Sequence, residues 1–302
     1  MKKLTTLLLA STLLIAACGN DDSKKNDSKA SKKDDGIKAE LKQATKAYDK
    51  YTDEQLNEFL KGTEKFVKAI ENNDMAQAKA LYPKVRMYYE RSEPVAEAFG
   101  DLDPKIDARL ADMKEEKKEK EWSGYHKIEK DLYEDNKIDD MTKKDAQQLL
   151  KDAKELHAKA DTLDITPKLM LQGSVDLLNE VATSKITGEE EIYSHTDLYD
   201  FKANVEGAQK IYDLFKPILE KKDKKLSDDI QTNFDKVNQL LDKYKDKNGG
   251  YESFEKVSKK DRKAFADAVN ALGEPLSKMA VITEWQITNK LMTAHNFQDV
   301  HF

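Results

Sequence analysis

From Ile37 onward, apolar residues recur at helical spacing almost without a break, and no stretch of useful length alternates as a strand would. That pattern leaves little but an all-α fold. Thr52-Asp53-Glu54-Gln55 reads as a capping box opening a helix through Leu56, Phe59, Leu60, Phe66, Val67 and Ile70. Asp74 caps a second, carrying Ala78, Leu81, Val85, Tyr88, Tyr89, Val95, Ala96 and Phe99 inward. Asp103-Pro104, a cap followed by proline at the first helical position, starts a third with Ile106, Leu110 and Met113. A central helix over about Glu121 to Asn136 follows, and Thr142 starts another with Leu149, Ala153, Leu156 and Leu163 on one stripe. Thr166-Pro167 repeats the cap-plus-proline signal, and further helices are expected over 169–182, 196–219, 230–244, 259–272 and 275–293. With 36% charged residues, against the roughly 25% usual for globular domains, and only 11 glycines and 6 prolines in 302 residues, these are long helices with solvated faces. The expected architecture is two packed antiparallel bundles, residues 37–165 and 166–302.

The N-terminus has a different character. Lys2 and Lys3 precede an apolar run from Leu4 to Ala17, too short to span a bilayer and placed as a signal-peptide core. It ends Leu14-Ile15-Ala16-Ala17-Cys18-Gly19, the pattern of a bacterial lipobox, so residues 1–17 are expected to be removed and Cys18 to carry lipid. Cys18 is the only cysteine, which excludes an intrachain disulfide. Residues 18–36 are rich in Asp, Ser and Lys, and are expected to be a disordered tether. The formal charge of −6 falls to −8 once Lys2 and Lys3 leave with the leader, which argues against nucleic acid as a partner.

Within Trp122-Ser123-Gly124-Tyr125-His126-Lys127-Ile128-Glu129, a helix sets His126 and Glu129 one turn apart on one face. An imidazole nitrogen and a carboxylate oxygen then converge on one point, which is half of a metal site. The same spacing serves a buried histidine that hydrogen-bonds its glutamate. Glu90 stands four residues before Pro94, whose missing N–H leaves the Glu90 carbonyl without its helical donor. Asp107 lies on the following helix. Glu90, Asp107, His126 and Glu129 can thus arrive at one depth on three consecutive helices, although each acid, taken singly, also fits a solvated helix face. One imidazole with three carboxylates is a hard, oxygen-rich set that suits iron or manganese and admits zinc.

Several motifs together carry a family resemblance. Ala78 to Tyr82, Tyr89-Glu90-Arg91, Glu93-Pro94, Asp101-Leu102-Asp103 and Ile106-Asp107-Ala108-Arg109 resemble the EfeO/EfeM family. So do the H-x-x-E of Gly124 to Lys130, Ser184 to Glu190, Tyr193 to Phe201 and Asn204 to Lys210. The likeness spans about Ala47 to Gly273, in the shorter form without an N-terminal cupredoxin domain. It implies an imelysin-like pair of helical bundles, with metal ligands at His126, Glu129, Glu90 and Asp107. It also implies iron capture on the extracytoplasmic face of the cell membrane, with a membrane permease and a haem peroxidase as partners in a tripartite uptake system. A zinc-dependent peptidase is the alternative: no H-E-x-x-H helix occurs in this sequence and its H-x-x-E offers one histidine, although H-x-x-E also occurs in carboxypeptidase-type zinc sites. Metal-bridged binding of an acidic polysaccharide is the third class. His195 is expected to cap or pack in its loop, and His295 and His301 to be tail residues.

Overall fold

The computed structural model describes residues 23–280. The leader, Cys18, and the tail with His295 and His301 lie outside the described residues. Chain contacts divide the protein into Met1–Ala39 and Glu40–Phe302. In the first unit, the residues from Ser23 on are helical, within the stretch expected to be a tether. Everything below concerns the second unit.

The all-α expectation holds. Among the described residues ten α-helices run in the order α1 (Ser23–Glu71), α2 (Met75–Glu90), α3 (Asp103–Asp107), α4 (Leu110–Glu115), α5 (Tyr125–Glu129), α6 (Asp140–Lys159), α7 (Pro167–Thr183), α8 (Asp197–Glu220), α9 (Lys224–Asp242) and α10 (Lys259–Lys278). Among the described residues there is no strand, only an isolated antiparallel bridge between Lys245 and Tyr251. No described helix is long and apolar enough to cross a membrane.

Asp74 and Thr166 cap as expected, the helix expected from Thr142 is capped by Asp139 instead, and Asp103 lies inside α3 with its carboxylate taken by Tyr89 OH rather than capping. Asp74 accepts from Gln77 N at 3.0 Å, Asp139 from Thr142 N at 2.9 Å and Thr166 from Leu169 N at 3.1 Å, so each satisfies an amide the helix itself leaves bare. Thr52 does not cap. It is buried inside the continuous α1, whose Leu41, Ala44, Tyr48, Leu56, Phe59, Phe66 and Ile70 form one core-facing stripe. The long second helix stops at Glu90, and a 3₁₀ stretch, Glu93–Leu102, replaces its expected continuation. Proline explains the break, because Pro94 has no N–H for the Glu90 carbonyl. Asn204 of α8 supplies that donor through Nδ2 at 3.2 Å.

Helix α8 can approach so closely because of Gly207. A Cβ there would sit 2.5 Å from the Arg91 carbonyl oxygen, nearer than any side chain tolerates. Helix α2 consequently packs along α8, while α7 packs on the 3₁₀ stretch, α8 and α10. On the other face of α2, Phe59, Phe66, Tyr82, Tyr89 and Tyr125 form a chain of ring contacts with centroids 5.2–6.0 Å apart. That aromatic layer (apart from tyrosine hydroxyls such as that of Tyr125, bonded to Thr63 at 2.7 Å) is apolar, and it is the floor on which the polar centre sits.

Candidate metal centre

The expected central helix is much shorter than its periodicity implies. It begins only at Tyr125, ends as α-helix at Glu129, and passes into a π-turn over Lys130–Glu134. Its start is fixed from outside. Trp122 Nε1 donates to the Ala108 carbonyl at 2.8 Å and Ser123 Oγ to the Lys105 carbonyl at 3.0 Å. Gly124 adopts φ +90°, and a Cβ on it would lie 2.3 Å from the Ile106 carbonyl oxygen. The loop is thereby clamped onto α3, which carries Asp107, and this clamp sets the register between Asp107 and His126. Gly124→Ala is expected to cost about 1–2 kcal/mol in backbone strain alone and to pull His126 away from Asp107. Thermal melts compared with cation titrations would read both effects, and unchanged values in both would refute the clamp.

The structure brings Asp107, His126 and Glu129 together. His126 is 2% exposed and Glu129 fully buried. His126 Nδ1 stands 3.2 Å from Glu129 Oε2, so Nδ1–H donates to the carboxylate in the tautomer that satisfies both. Glu129 is held in turn by its other oxygen, which accepts from the backbone of Tyr193 at 3.0 Å and of Ser194 at 2.7 Å. His126 Nε2, on the opposite edge of the ring, is buried and has no hydrogen-bond partner. It faces Asp107 Oδ1 at 3.7 Å. Burial, aided by the nearby Arg86, holds the imidazole down to about 3, so it stays neutral with a lone pair available.

Glu90 lies one step away. Its oxygens take Arg86 at 2.5 Å, Asn204 Nδ2 at 2.9 Å and Lys185 Nζ at 3.4 Å. Burial would push its carboxyl up, but Lys185 and Arg86 outweigh it and hold Glu90 well below the usual carboxylate range. It is already neutralised by side chains.

Further charged side chains surround these residues. Arg86 is fully buried and pairs with Glu90, Asp107 and Glu191, with Asp200 at 3.6 Å and Glu190 at 3.8 Å. Lys185, also buried, reaches Glu93 at 3.0 Å and Glu190 at 3.2 Å. Glu190 and Glu191 come from the loop that closes over α5, between Gly188 and His195, both left-handed. His195 is not drawn into the centre: its backbone N–H donates to the Glu191 carbonyl, which shapes the loop. Asp107, His126 and Glu190 offer ligand atoms all within 4.8 Å of one another.

The charge balance is lopsided. Glu90, Glu93, Asp107, Glu129, Glu190, Glu191, Asp197 and Asp200 crowd round two buried cations, Arg86 and Lys185. Burial pushes Asp107 up despite Arg86, pushes Glu129 up with help from Glu191, and brings Asp197 to about 7. Buried carboxylates without counter-charge are costly, and either protons or a metal cation relieves them. Two cavities reach the centre from solvent. One of about 450 Å³ is lined by Asp107, Glu190, Asp103, Asp112, Asp176 and Glu180, and one of about 340 Å³ by His126, Glu129, Glu190, Trp122 and Tyr193. Arg109 lines both, bonded to Asp112 at 2.9 Å and to Glu190 at 3.2 Å.

The imelysin (peptidase M75) family profile matches residues 44–279. Proteins from Staphylococcus aureus strains NCTC 8325 and bovine RF122, both named Efem/EfeO family lipoprotein, are each 97% identical over 284 residues, covering 94% of this chain and all of theirs. The chain belongs to the Efem/EfeO family. An iron-regulated protein A precursor, as the solved structure from Parabacteroides distasonis is described, superposes with a TM-score of 0.52 at 16% identity. The match covers 83% of this chain and 95% of that one, and shows a shared imelysin-like fold. Within the Efem/EfeO chain, the H-x-x-E helix and its Asp107 neighbour therefore sit in a helical frame common to distant relatives.

Proposed function

We propose that this Efem/EfeO chain captures an iron cation at the membrane face, with His126 Nε2, Asp107 and Glu190 as ligands and Glu129 orienting the imidazole. The observation that carries the reading is a neutral, buried imidazole whose Nε2 lacks any partner while facing surplus carboxylate. A coordinated cation gives that lone pair its acceptor and removes the charge deficit in one step. The acidic cavity beside Asp107 favours approach of a hydrated cation by its potential. Iron is the cargo, with manganese and zinc compatible with the same donors. The family's naming as lipoproteins supports lipid attachment at Cys18 and residence on the extracytoplasmic face. A membrane permease is the proposed recipient of the cargo, a haem peroxidase is the proposed further partner in the same uptake system, and the role is delivery rather than turnover.

Anaerobic calorimetric titration of the detergent-solubilised full chain with Fe²⁺ tests this reading. Uptake is expected at micromolar or tighter affinity, with protons released near neutral pH because burial holds the Asp107 carboxyl above the usual carboxylate range. Asp107→Asn is expected to weaken binding by at least about tenfold and to reduce the proton count measured across buffers of different ionisation enthalpy. No uptake by the unaltered protein would refute capture.

A further inference from the structure

Of the described residues, Arg109, Asp112 and Glu190 are common to the linings of the two cavities that reach the centre. Asp107 belongs to the cavity on one side of them and His126 to the cavity on the other. The three are also bonded to one another. Arg109 takes Asp112 as a fork, with Nε and Nη2 each 2.9 Å from a separate carboxylate oxygen. It reaches Glu190 Oε2 through Nη1 alone, at 3.2 Å. The fork is the stronger attachment, because two parallel charge-assisted bonds fix a geometry that one longer contact does not. The base of the arm is tied as well, since the Arg109 backbone N–H donates to Asp112 Oδ2 at 3.2 Å at the start of α4. Arg109 can therefore let go of Glu190 without leaving Asp112. Among the described residues, the other cations at Glu190 lack that freedom. Arg86, at 3.8 Å, and Lys185, at 3.2 Å, both meet Oε1, are 1% exposed and are locked by further buried acids. Arg109 is 20% exposed and has a cavity on either side. Of the two Glu190 oxygens, only Oε2 is held by a cation with room to withdraw.

We propose that the Arg109–Glu190 ion pair is the gate of the centre, opened by the arriving cation and closed again to expel it. This rests on the capture reading, with Glu190 as a ligand, and adds how the ion is let go. Arg109 acts through Glu190, as a positioning residue, and is not itself a ligand. When the ion takes Glu190 Oε2, the guanidinium falls back on Asp112. Its charge then stays beside the ion and opposes it. When the guanidinium returns to Glu190, the ion loses a ligand and the partition between the two cavities is restored. Delivery needs such a step, because one imidazole and two carboxylates with no mobile competitor would retain their cargo. The gate is a competition between two cations for one oxygen, so it needs no movement of any helix.

Mn²⁺ serves as the probe on the full chain in detergent, with affinity read by equilibrium dialysis and release by a stopped-flow chase with excess chelator. Arg109→Gln keeps a hydrogen bond to Asp112 and loses the charge. A single neighbouring charge moves a protonation equilibrium by about 1–3 pKa units, so this variant is expected to bind Mn²⁺ at least about tenfold more tightly. The gain is expected in slower release, the step the gate drives. Arg109→Lys keeps the charge without the fork and is expected to bind within about threefold of the unaltered chain. Binding by Arg109→Gln that is unchanged or weaker, with release no slower, would overturn the gate and leave capture intact. No Mn²⁺ uptake by either the unaltered chain or the variants would overturn both. If Arg109→Gln fails to fold, Arg109→Lys decides: a loss of about tenfold or more would mean that the fork only holds Glu190 in place, and the gate would fall.

Discussion

Arg86→Met is expected to destabilise the protein by about 3–5 kcal/mol at pH 8, because it leaves buried acids facing one another without their shared cation. For a chain of this size that corresponds to a fall in Tm of roughly 10 °C. The guanidinium is fully buried between the aromatic floor and the acids. It bonds Glu90 at 2.5 Å, pairs with Asp107 and Glu191, and lies within 4 Å of Glu190 and Asp200. Burial alone would strip its proton, yet Asp107, Asp200, Glu191 and Glu90 together keep it charged more firmly than in water. Methionine fills much of the volume, so the loss measures charge rather than a cavity. The pH dependence has a definite sign. Without Arg86 the acids of Asp107 and Asp200, already raised by burial, rise further. A carboxyl with a raised folded pKa stabilises the native state at low pH and loses that contribution as pH climbs through the folded value. The deficit of the variant is therefore expected to shrink from pH 8 to pH 5. Arg86→Lys keeps a charge but not the fork that meets several carboxylates at once, and should fall between the two. Thermal melts at both pH values check this, and a Met variant within about 1 kcal/mol of the unaltered protein at pH 8 would show that Arg86 is not the keystone.

How much of this was legible beforehand differs between frame and centre. Fold class followed from apolar spacing, since burial of one helix face leaves a direct trace in sequence. Asp74 and Thr166 mark real helix starts because a cap is a local interaction among residues three apart. Local signals misled where tertiary packing overrode them. Thr52 and Gln55 read as a capping box, but upstream residues continue the helix, so no bare amides remain to cap. Pro275 was read as a helix start, yet α10 runs through it to Lys278. The helix around His126 was read long because Leu132 and Ile128 keep the period, while the clamp by Trp122, Ser123 and Gly124 is invisible without the chain of α3 opposite. In the centre, His126, Glu129 and Asp107 were found from residue type and order. Glu90 was placed at the right depth, but Arg86, four residues earlier on the same helix face, is its ion-pair partner, and that i, i+4 spacing was readable. Glu190 and Glu191 had the least signal. A run of three glutamates usually marks a solvated face, and here only Glu189 is exposed; the other two turn inward because Gly188 and His195 fold the loop back over α5. Burial set by loop closure leaves no period to read. Helix α2, from the expected first bundle, lies along α8, from the expected second, at Gly207.

The second large effect is expected from His126→Ala: a loss of cation affinity of more than about 100-fold, larger than the 10–100-fold typical of disturbing a residue behind the ligands. Among the described residues the imidazole is the only neutral nitrogen ligand in the centre, and the Nε2 position is walled by Asp107 on one side and by Glu190, already bonded to Arg109 and Lys185, on the other. Glu129→Gln separates orientation from ligation. Its carboxamide can still meet Nδ1, so a loss of about tenfold fits a residue that braces the ring, whereas a loss as large as that of His126→Ala fits a direct ligand of the captured ion. The stability of the apo protein supplies an independent readout. Because the native imidazole is held down to about 3, while an unfolded histidine titrates near 6.5, the unfolded state takes up a proton that the native state refuses. Stability from this group is therefore full above pH 6.5 and drains away as pH falls toward 3. His126→Ala is expected to flatten that part of the stability curve, leaving the acid limb to groups such as Glu90 whose carboxyls sit below their usual range. Urea denaturation between pH 8 and pH 5 measures the slope, and a variant that keeps the full acid sensitivity would mean that the ring is open to protons and is not the sealed, neutral donor on which cation capture depends.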